Sequence, residues 1–222
     1  MPNLNIQPAL SVAGTRGLFL NAAQVQFSEQ VQNRILGMAA AVAKLDHVTE
    51  VVPGVNSLLV VFDPTRVSPA ILGDKLMSIW SLTPADAPDG RDFDIPVYYG
   101  GTKGEDLIQI AQFAGLGVEE FVKIHSSSVY QVACVGAMPG FPYLTGLDSR
   151  LAMPRRSSPR LSLDGGSVTI GGTHAGITPC TAPSGWHVIG HTSVKLFDEQ
   201  NSPSALLKPG DRIRFVIEGI EL

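Results

Sequence analysis

The sequence predicts an α+β protein in two parts: an α/β sandwich over about its first eighty residues, then a β-rich barrel or sandwich. Three observations predict this. Two early segments carry apolar residues at helical spacing and alternate with strand-like runs. From residue 129 onward, short apolar runs alternate with Gly, Pro and Ser clusters. The 222 residues also include 23 Gly and 16 Pro, a turn-rich composition that argues against a helical bundle.

Leu10 to Leu20 reads as a first strand. Ser28 is a good N-cap for a helix whose apolar face is Val31, Ile35, Met38, Ala39 and Val42. Val48 to Val52 and Ser57 to Asp63 read as strands joined by a hairpin at Pro53-Gly54-Val55-Asn56. Ser68-Pro69 opens a second helix with Ile71, Leu72, Leu76 and Ile79 on its apolar face. The order β-α-β-β-α is one strand short of the ferredoxin-like pattern. Residues 83–92 are polar and rich in Pro, so the domains are set at 1–85 and 93–222 with a linker over 86–92. Phe93 to Tyr99 is a strand that opens the second domain, the alternative being that it completes the first. Helices are predicted over Glu105 to Ala114 and Val118 to Ser126. The runs 129–136, 167–171, 186–189, 193–197 and 211–217 supply an antiparallel sandwich or closed barrel.

Composition excludes several classes. The net charge is −4 and the longest basic cluster is Arg155, Arg156 and Arg160, so no stripe exists to neutralise nucleic-acid phosphates. No apolar run is long enough to span a bilayer, and the start Met-Pro-Asn-Leu-Asn lacks the pattern of a signal peptide, so a cytoplasmic protein is expected. Cys134 and Cys180 form neither a disulfide framework nor a CxxC motif, and read as reduced packing residues.

Four clusters are candidates for chemistry. Gly136-Ala-Met-Pro139-Gly140-Phe141-Pro-Tyr143 is a stiff loop that can expose backbone N–H groups or hold an aromatic wall. Arg155, Arg156 and Arg160 suit carboxylates or phosphates, through paired hydrogen bonds. Gly165 to Gly176 reads as a hairpin with glycines at its turns, because neither GxxxxGK[ST] nor GxGxxG is present. In Ser184 to Thr192, a strand would put Trp186, Val188 and Gly190 on one side and His187, Ile189 and His191 on the other. His174, His187 and His191 match no strong ligand spacing, so no metal is expected. His125 ends a short helix, where the dipole favours a charged imidazole. No GxSxG elbow is present.

Taken in order, His125…Tyr130, Gly136-x-x-Pro-Gly-Phe-Pro-Tyr-Leu144, Pro154-Arg-Arg-x-x-Pro-Arg160, Gly166-Ser-Val168, Gly171-Gly172, Gly185-Trp186 and Gly190-His-Thr192 resemble one family. It groups the B subunits of 5-oxoprolinase, the Kip-type inhibitors of a sporulation histidine kinase, and proteins known as allophanate hydrolase subunit 1. Pro96-Val-Tyr-Tyr-Gly-Gly101 and Asp106-Leu107 resemble it too, and the match covers essentially the whole chain. Ala137, His174-Ala175, Thr178 and Ser184 depart from the family pattern, mostly in loops that would line a pocket.

The resemblance implies a ferredoxin-like N-terminal domain and a cyclophilin-like β-barrel C-terminal domain. It implies a non-autonomous subunit of an ATP-dependent amidohydrolase that opens 5-oxoproline to glutamate, with the C and A subunits of 5-oxoprolinase as partners. The alternatives are a histidine-kinase inhibitor and an allophanate hydrolase subunit in urea breakdown. Activation of the lactam by phosphorylation would give an intermediate with a carboxylate and a phosphate, both suited to Arg. On this reading Arg155, Arg156 and Arg160 bind anionic substrate beside Pro139, Gly140, Phe141, Tyr143, Gly172 and Trp186, while His125, His174 or His191 moves a proton. ATP with Mg is expected at a partner subunit or an interface, because no nucleotide loop is visible here.

Overall fold

The computed structural model of the protein describes residues 6–23, 27–86 and 89–222. The chain start Met1 to Asn5 and residues 87–88 of the expected linker lie outside the described residues. The chain divides into two compact units, Met1–Asp89 and Gly90–Leu222. No helix among the described residues is long and apolar enough to cross a membrane.

In the first unit, the segment read as one strand is a hairpin. It consists of β1 (Ala9–Ala13) and β2 (Gly17–Asn21), turned at Gly14 with φ +64°. Then follow α1 (Glu29–Val42), β3 (Val48–Gly54), β4 (Ser57–Phe62) and α2 (Pro69–Leu82). The sheet order is β1-β2-β4-β3, all antiparallel. This is the ferredoxin-like order, with the missing edge strand supplied before the first helix rather than after the second. Ser28 and Ser68 cap their helices by accepting from Val31 N and Ile71 N, each at 3.3 Å. The expected α1 face is buried, but Ile71 is 66% exposed, and the buried side of α2 runs through Leu72, Leu76 and Trp80. That i, i+4, i+8 row is the one the helix turns toward the sheet.

Asn56 fastens the β3–β4 turn to α1. It has φ +48° and is buried. Its side chain accepts from Ser28 N at 3.0 Å and donates to Ser28 O at 2.9 Å, and its N–H donates to Gln32 Oε1 at 2.6 Å. Asn tolerates the left-handed conformation and supplies both a donor and an acceptor.

The second unit begins with β5 (Asp92–Gly100), α3 (Leu107–Phe113) and α4 (Val118–Ser127). The remaining strands are β6 (Tyr130–Val135), β7 (Pro142–Thr145), β8 (Arg160–Leu163), β9 (Ser167–Gly171), β10 (His174–Ile177), β11 (Ala182–Ser184), β12 (His187–His191) and β13 (Arg212–Glu221), and the run 193–197 forms no strand. Seven strands close a barrel in the order β10-β7-β6-β13-β5-β12-β9, and β8 and β11 form a separate ribbon. The barrel is not wholly antiparallel. Its first and last strands, β5 and β13, pair in parallel over their length. All the intervening chain serves as their crossover, which parallel pairing requires. Arg212 grips Asp92 across this seam at 2.8 and 3.1 Å. Buried Asp211 accepts from Arg91 Nη2 at 2.6 Å, Arg91 N at 3.0 Å and Lys208 N at 3.0 Å. Leu196, expected on a strand, fills the core from a loop.

The barrel interior is lined by Ile95, Val97, Val132, Leu144, Val168, Ile170, Ala175, Ile177 and Ile213, among others. His125 sits inside it, fully buried. Its Nδ1 is 2.8 Å from the Tyr99 hydroxyl, and its ring stacks on Phe215 at 4.6 Å. Burial pushes its pKa down to about 3, so desolvation outweighs the helix C-terminus that would favour the charged form. The unfolded chain takes up a proton below about pH 6.5 that the folded barrel refuses until about pH 3. Stability is therefore expected to fall as pH drops through that window, by about 1.4 kcal/mol per unit at most from this residue. Urea unfolding of His125→Gln across the same range should show a shallower acid slope than the parent chain.

Candidate functional site

One outer face of the barrel carries a cluster of aromatic side chains. Along β7, β10 and β9, Leu144, Ala175, Ile177, Val168 and Ile170 point into the core. The alternate residues Tyr143, His174, Gly176, Thr169 and Gly171 therefore face outward. Tyr143 joins Phe141 and Trp186 on this face in a triangle of edge-to-face contacts at 5.0, 5.6 and 5.9 Å. Two glycines make room for the rings. A Cβ on Gly171 would lie 2.5 Å from the Trp186 ring, and one on Gly176 would lie 2.7 Å from Phe141. The loop before Phe141 is closed by Gly136 N donating to Phe141 O at 3.0 Å, and turns at Ala137 and Gly140, both with positive φ.

A strap over residues 153–160 crosses the edge of this wall. Met153 and Gly172 exchange backbone hydrogen bonds at 3.0 and 2.7 Å, and Arg156 N donates to Gly185 O at 2.8 Å. Asp106, just before α3, anchors the strap. Its Oδ1 accepts from Arg156 Nη1 at 2.9 Å and from Arg160 Nη2 at 2.8 Å, and its Oδ2 accepts from Val188 N at 2.8 Å. Burial raises the pKa of this carboxyl. The Arg160 hydrogen bond, the Val188 N–H and the two arginine charges outweigh that and hold it below the ordinary value. Asp106 is therefore ionised at neutral pH and neutralises guanidiniums that the sequence suggested for substrate.

Arg155 lies between the two fixed points of the strap. Its guanidinium sits over the Trp186 ring at 5.8 Å, and it forms no salt bridge among the described residues. It is exposed, and its charge reaches His174. Burial first, and the Arg155 charge second, lower the His174 pKa, so this imidazole is neutral at pH 7. The arrangement offers a cation without a salt bridge among the described residues and a neutral imidazole, set over buried aromatic rings. It suits an anionic ligand at the guanidinium, while Phe141 and Trp186 are themselves buried and support the face from beneath.

The structure thus brings together Arg155, His174, Phe141, Tyr143 and Trp186, with Gly172 at the hairpin turn that holds the strap. It separates the others. Arg156 and Arg160 are held on Asp106, and His125 is sealed in the core. His191 lies at the far end of β12, where its Nε2 is 3.1 Å from Gly165 O. Pro139 is exposed on its loop, and Gly140 packs on the 196–197 segment. The alternation expected along β12 fails. A bulge between Val188 and Gly190 leaves Val188, Ile189 and Gly190 all buried. The sequence pattern assigned Asp106 no chemical role. An acid before an apolar helix looks like an N-cap, yet its side chain makes no cap bond. Among the described residues no three His, Cys, Asp or Glu side chains converge as metal ligands.

A profile described as carboxyltransferase domain, subdomain C and D, matches residues 8–207. The chain belongs to that family. Among curated relatives, the 5-oxoprolinase B subunit of Escherichia coli O157:H7 is 40% identical over 185 residues, covering 83% of this chain and 85% of that one. The protein of the same name from Haemophilus influenzae is 39% identical, covering 88% of this chain and 91% of that one. The crystal structure of TTHA0988 superposes with a TM-score of 0.78 at 32% identity, over 91% of this chain. The match takes up 40% of the length of TTHA0988. The urea amidolyase of Kluyveromyces lactis shares the fold, with a TM-score of 0.79 at 20% identity over 96% of this chain and 15% of that one.

Two substitutions test this geometry. Asp106→Asn takes the carboxylate from Arg156 and leaves Arg160 only the exposed Glu105, and is expected to destabilise the second unit by about 3 kcal/mol, read as a lower urea midpoint. Gly171→Ala drives a methyl group into the Trp186 ring. In a Trp80→Phe background its fluorescence should shift to the red as the indole is displaced into water.

Proposed function

We propose that the chain is a non-autonomous subunit of an ATP-dependent amidohydrolase, working with the C and A subunits of such a complex to open 5-oxoproline to glutamate. The names of its relatives support the reaction, and each of those names denotes one subunit of an enzyme. The observation that carries the site is the unpaired guanidinium of Arg155 above Trp186 and within electrostatic reach of neutral His174.

The chemistry fits these groups. The 5-oxoproline carboxylate pairs with Arg155, on the barrel face where Tyr143 and His174 are only partly buried. Opening the lactam adds a water oxygen to the carbonyl carbon, breaks the C–N bond and leaves a proton on nitrogen. On this reading His174, neutral through burial and the Arg155 charge, moves the proton from water to the leaving nitrogen. ATP, used with Mg, supplies the activation of an otherwise poor electrophile, its own hydrolysis consuming a second water.

The test is the reconstituted complex of this chain with its partner subunits, assayed for 5-oxoproline-dependent ADP release. Arg155→Gln should lower kcat/KM by about 100-fold, on the order of 3 kcal/mol, while the chain still co-purifies with its partners. Turnover at the parent rate in that variant would remove Arg155 from the reaction.

A further inference from the structure

A carboxylate on Arg155 is fixed at one end only, and chemistry elsewhere on the ligand requires a second polar contact. Most polar side chains around this barrel face are already committed. Thr145 Oγ1 donates to Gln131 O at 3.3 Å, and Thr169 Oγ1 donates to Gly176 O at 3.2 Å. Thr173 Oγ1 is 3.3 Å from His174 Nδ1, and His187 Nε2 is 2.9 Å from Pro154 O. Arg156 and Arg160 are held on Asp106. The hydroxyl of Tyr143 differs from these. It makes no hydrogen bond among the described residues, and it is open to solvent on a half-buried side chain.

That hydroxyl is also held in place. The Tyr143 ring meets Phe141 at 5.0 Å and Trp186 at 5.9 Å, both edge to face, and those two rings are buried. Gly176 stands opposite Tyr143, one residue on from the Ala175–Leu144 pair of β10 and β7, and its missing Cβ leaves room for Phe141. The same Trp186 ring lies under the Arg155 guanidinium at 5.8 Å. One buried indole therefore carries both a cation and a free hydroxyl. A donor fixed in advance needs no reorganisation when charge develops beside it.

We propose that the Tyr143 hydroxyl donates a hydrogen bond to the lactam carbonyl oxygen and is a catalytic residue, working with Arg155 at the carboxylate. The inference rests on the reaction proposed above. 5-Oxoproline carries three polar groups: a carboxylate, a ring N–H and a carbonyl oxygen. Arg155 has the charge and the paired donors for the first. A phenol can donate to the carbonyl or accept from the N–H. Only the bond to the carbonyl strengthens as water adds to its carbon and negative charge builds on its oxygen. The phenol keeps its proton throughout. The pair also sets selectivity, because a ring carboxylate without the carbonyl satisfies Arg155 and leaves Tyr143 without a partner.

Two measurements on the reconstituted complex test this. In 5-oxoproline-dependent ADP release, Tyr143→Phe should lower kcat about 100-fold and raise KM only a few-fold, with co-purification and melting temperature unchanged. Parent kcat in that variant overturns the inference. So does a loss confined to KM, which puts the hydroxyl on the ring N–H instead. In ligand-observed NMR titrations without ATP, the parent complex should bind 5-oxoproline about fivefold more tightly than cyclopentanecarboxylate. Tyr143→Phe should remove that preference, whereas Arg155→Gln should weaken both ligands alike. A preference that survives Tyr143→Phe undiminished, or none in the parent, overturns the role of the hydroxyl. Parent turnover in Arg155→Gln beside a deficient Tyr143→Phe removes Arg155 from the reaction and leaves Tyr143 in it. The converse result does the reverse.

Discussion

The carboxylate of Asp106 accepts from two guanidiniums and one strand N–H, and the arrangement of the outer barrel face follows from that. It joins the start of α3, the bulged strand β12 and the strap that carries three arginines. A buried carboxylate of this kind is tolerable only when its oxygens are filled, and here each is. Because Arg156 and Arg160 are drawn to it, Arg155 alone of the three is turned onto the Trp186 face. The charge that remains available to a ligand is set by which arginines the structure has already neutralised.

The same face shows how backbone and ring sizes are matched. Gly171 and Gly176 lie on adjacent antiparallel strands, and the rings of Trp186 and Phe141 rest directly against their backbone. A side chain at either position would lift the wall off the barrel. Burial of His174 and the Arg155 charge act in the same direction, so the imidazole stays neutral.

The histidines divide by environment rather than by sequence context. His125 is held neutral in the core against Tyr99 and Phe215, and its role is in the barrel's acid stability. His174 is on the outer wall beside a cation. His187 and His191 are tied to backbone carbonyls at opposite ends of β12. Two other features concern closure of each unit. The N-terminal hairpin supplies the edge strand of the first sheet, and the parallel β5–β13 seam closes the barrel, fixed by the Arg212–Asp92 pair.

Local signals in the sequence determined the helix caps at Ser28 and Ser68, the α1 face, the turn at Asn56, the glycine hairpin around Gly172 and the β-rich character of the second unit. These depend on neighbours a few residues away, and propensity and periodicity report them directly. The ordered motifs also identified the family and picked out Phe141, Trp186 and the arginine strap. Only the tertiary structure decided the rest. Gly14 inside an apolar run does not reveal whether the strand continues or turns back. The bulge at β12 breaks the period-two rule that placed its side chains. The partition among Arg155, Arg156 and Arg160 depends on Asp106, about fifty residues away in the chain. Whether a histidine is charged depends on the burial and charges that distant segments bring to it, and those are properties of the folded whole.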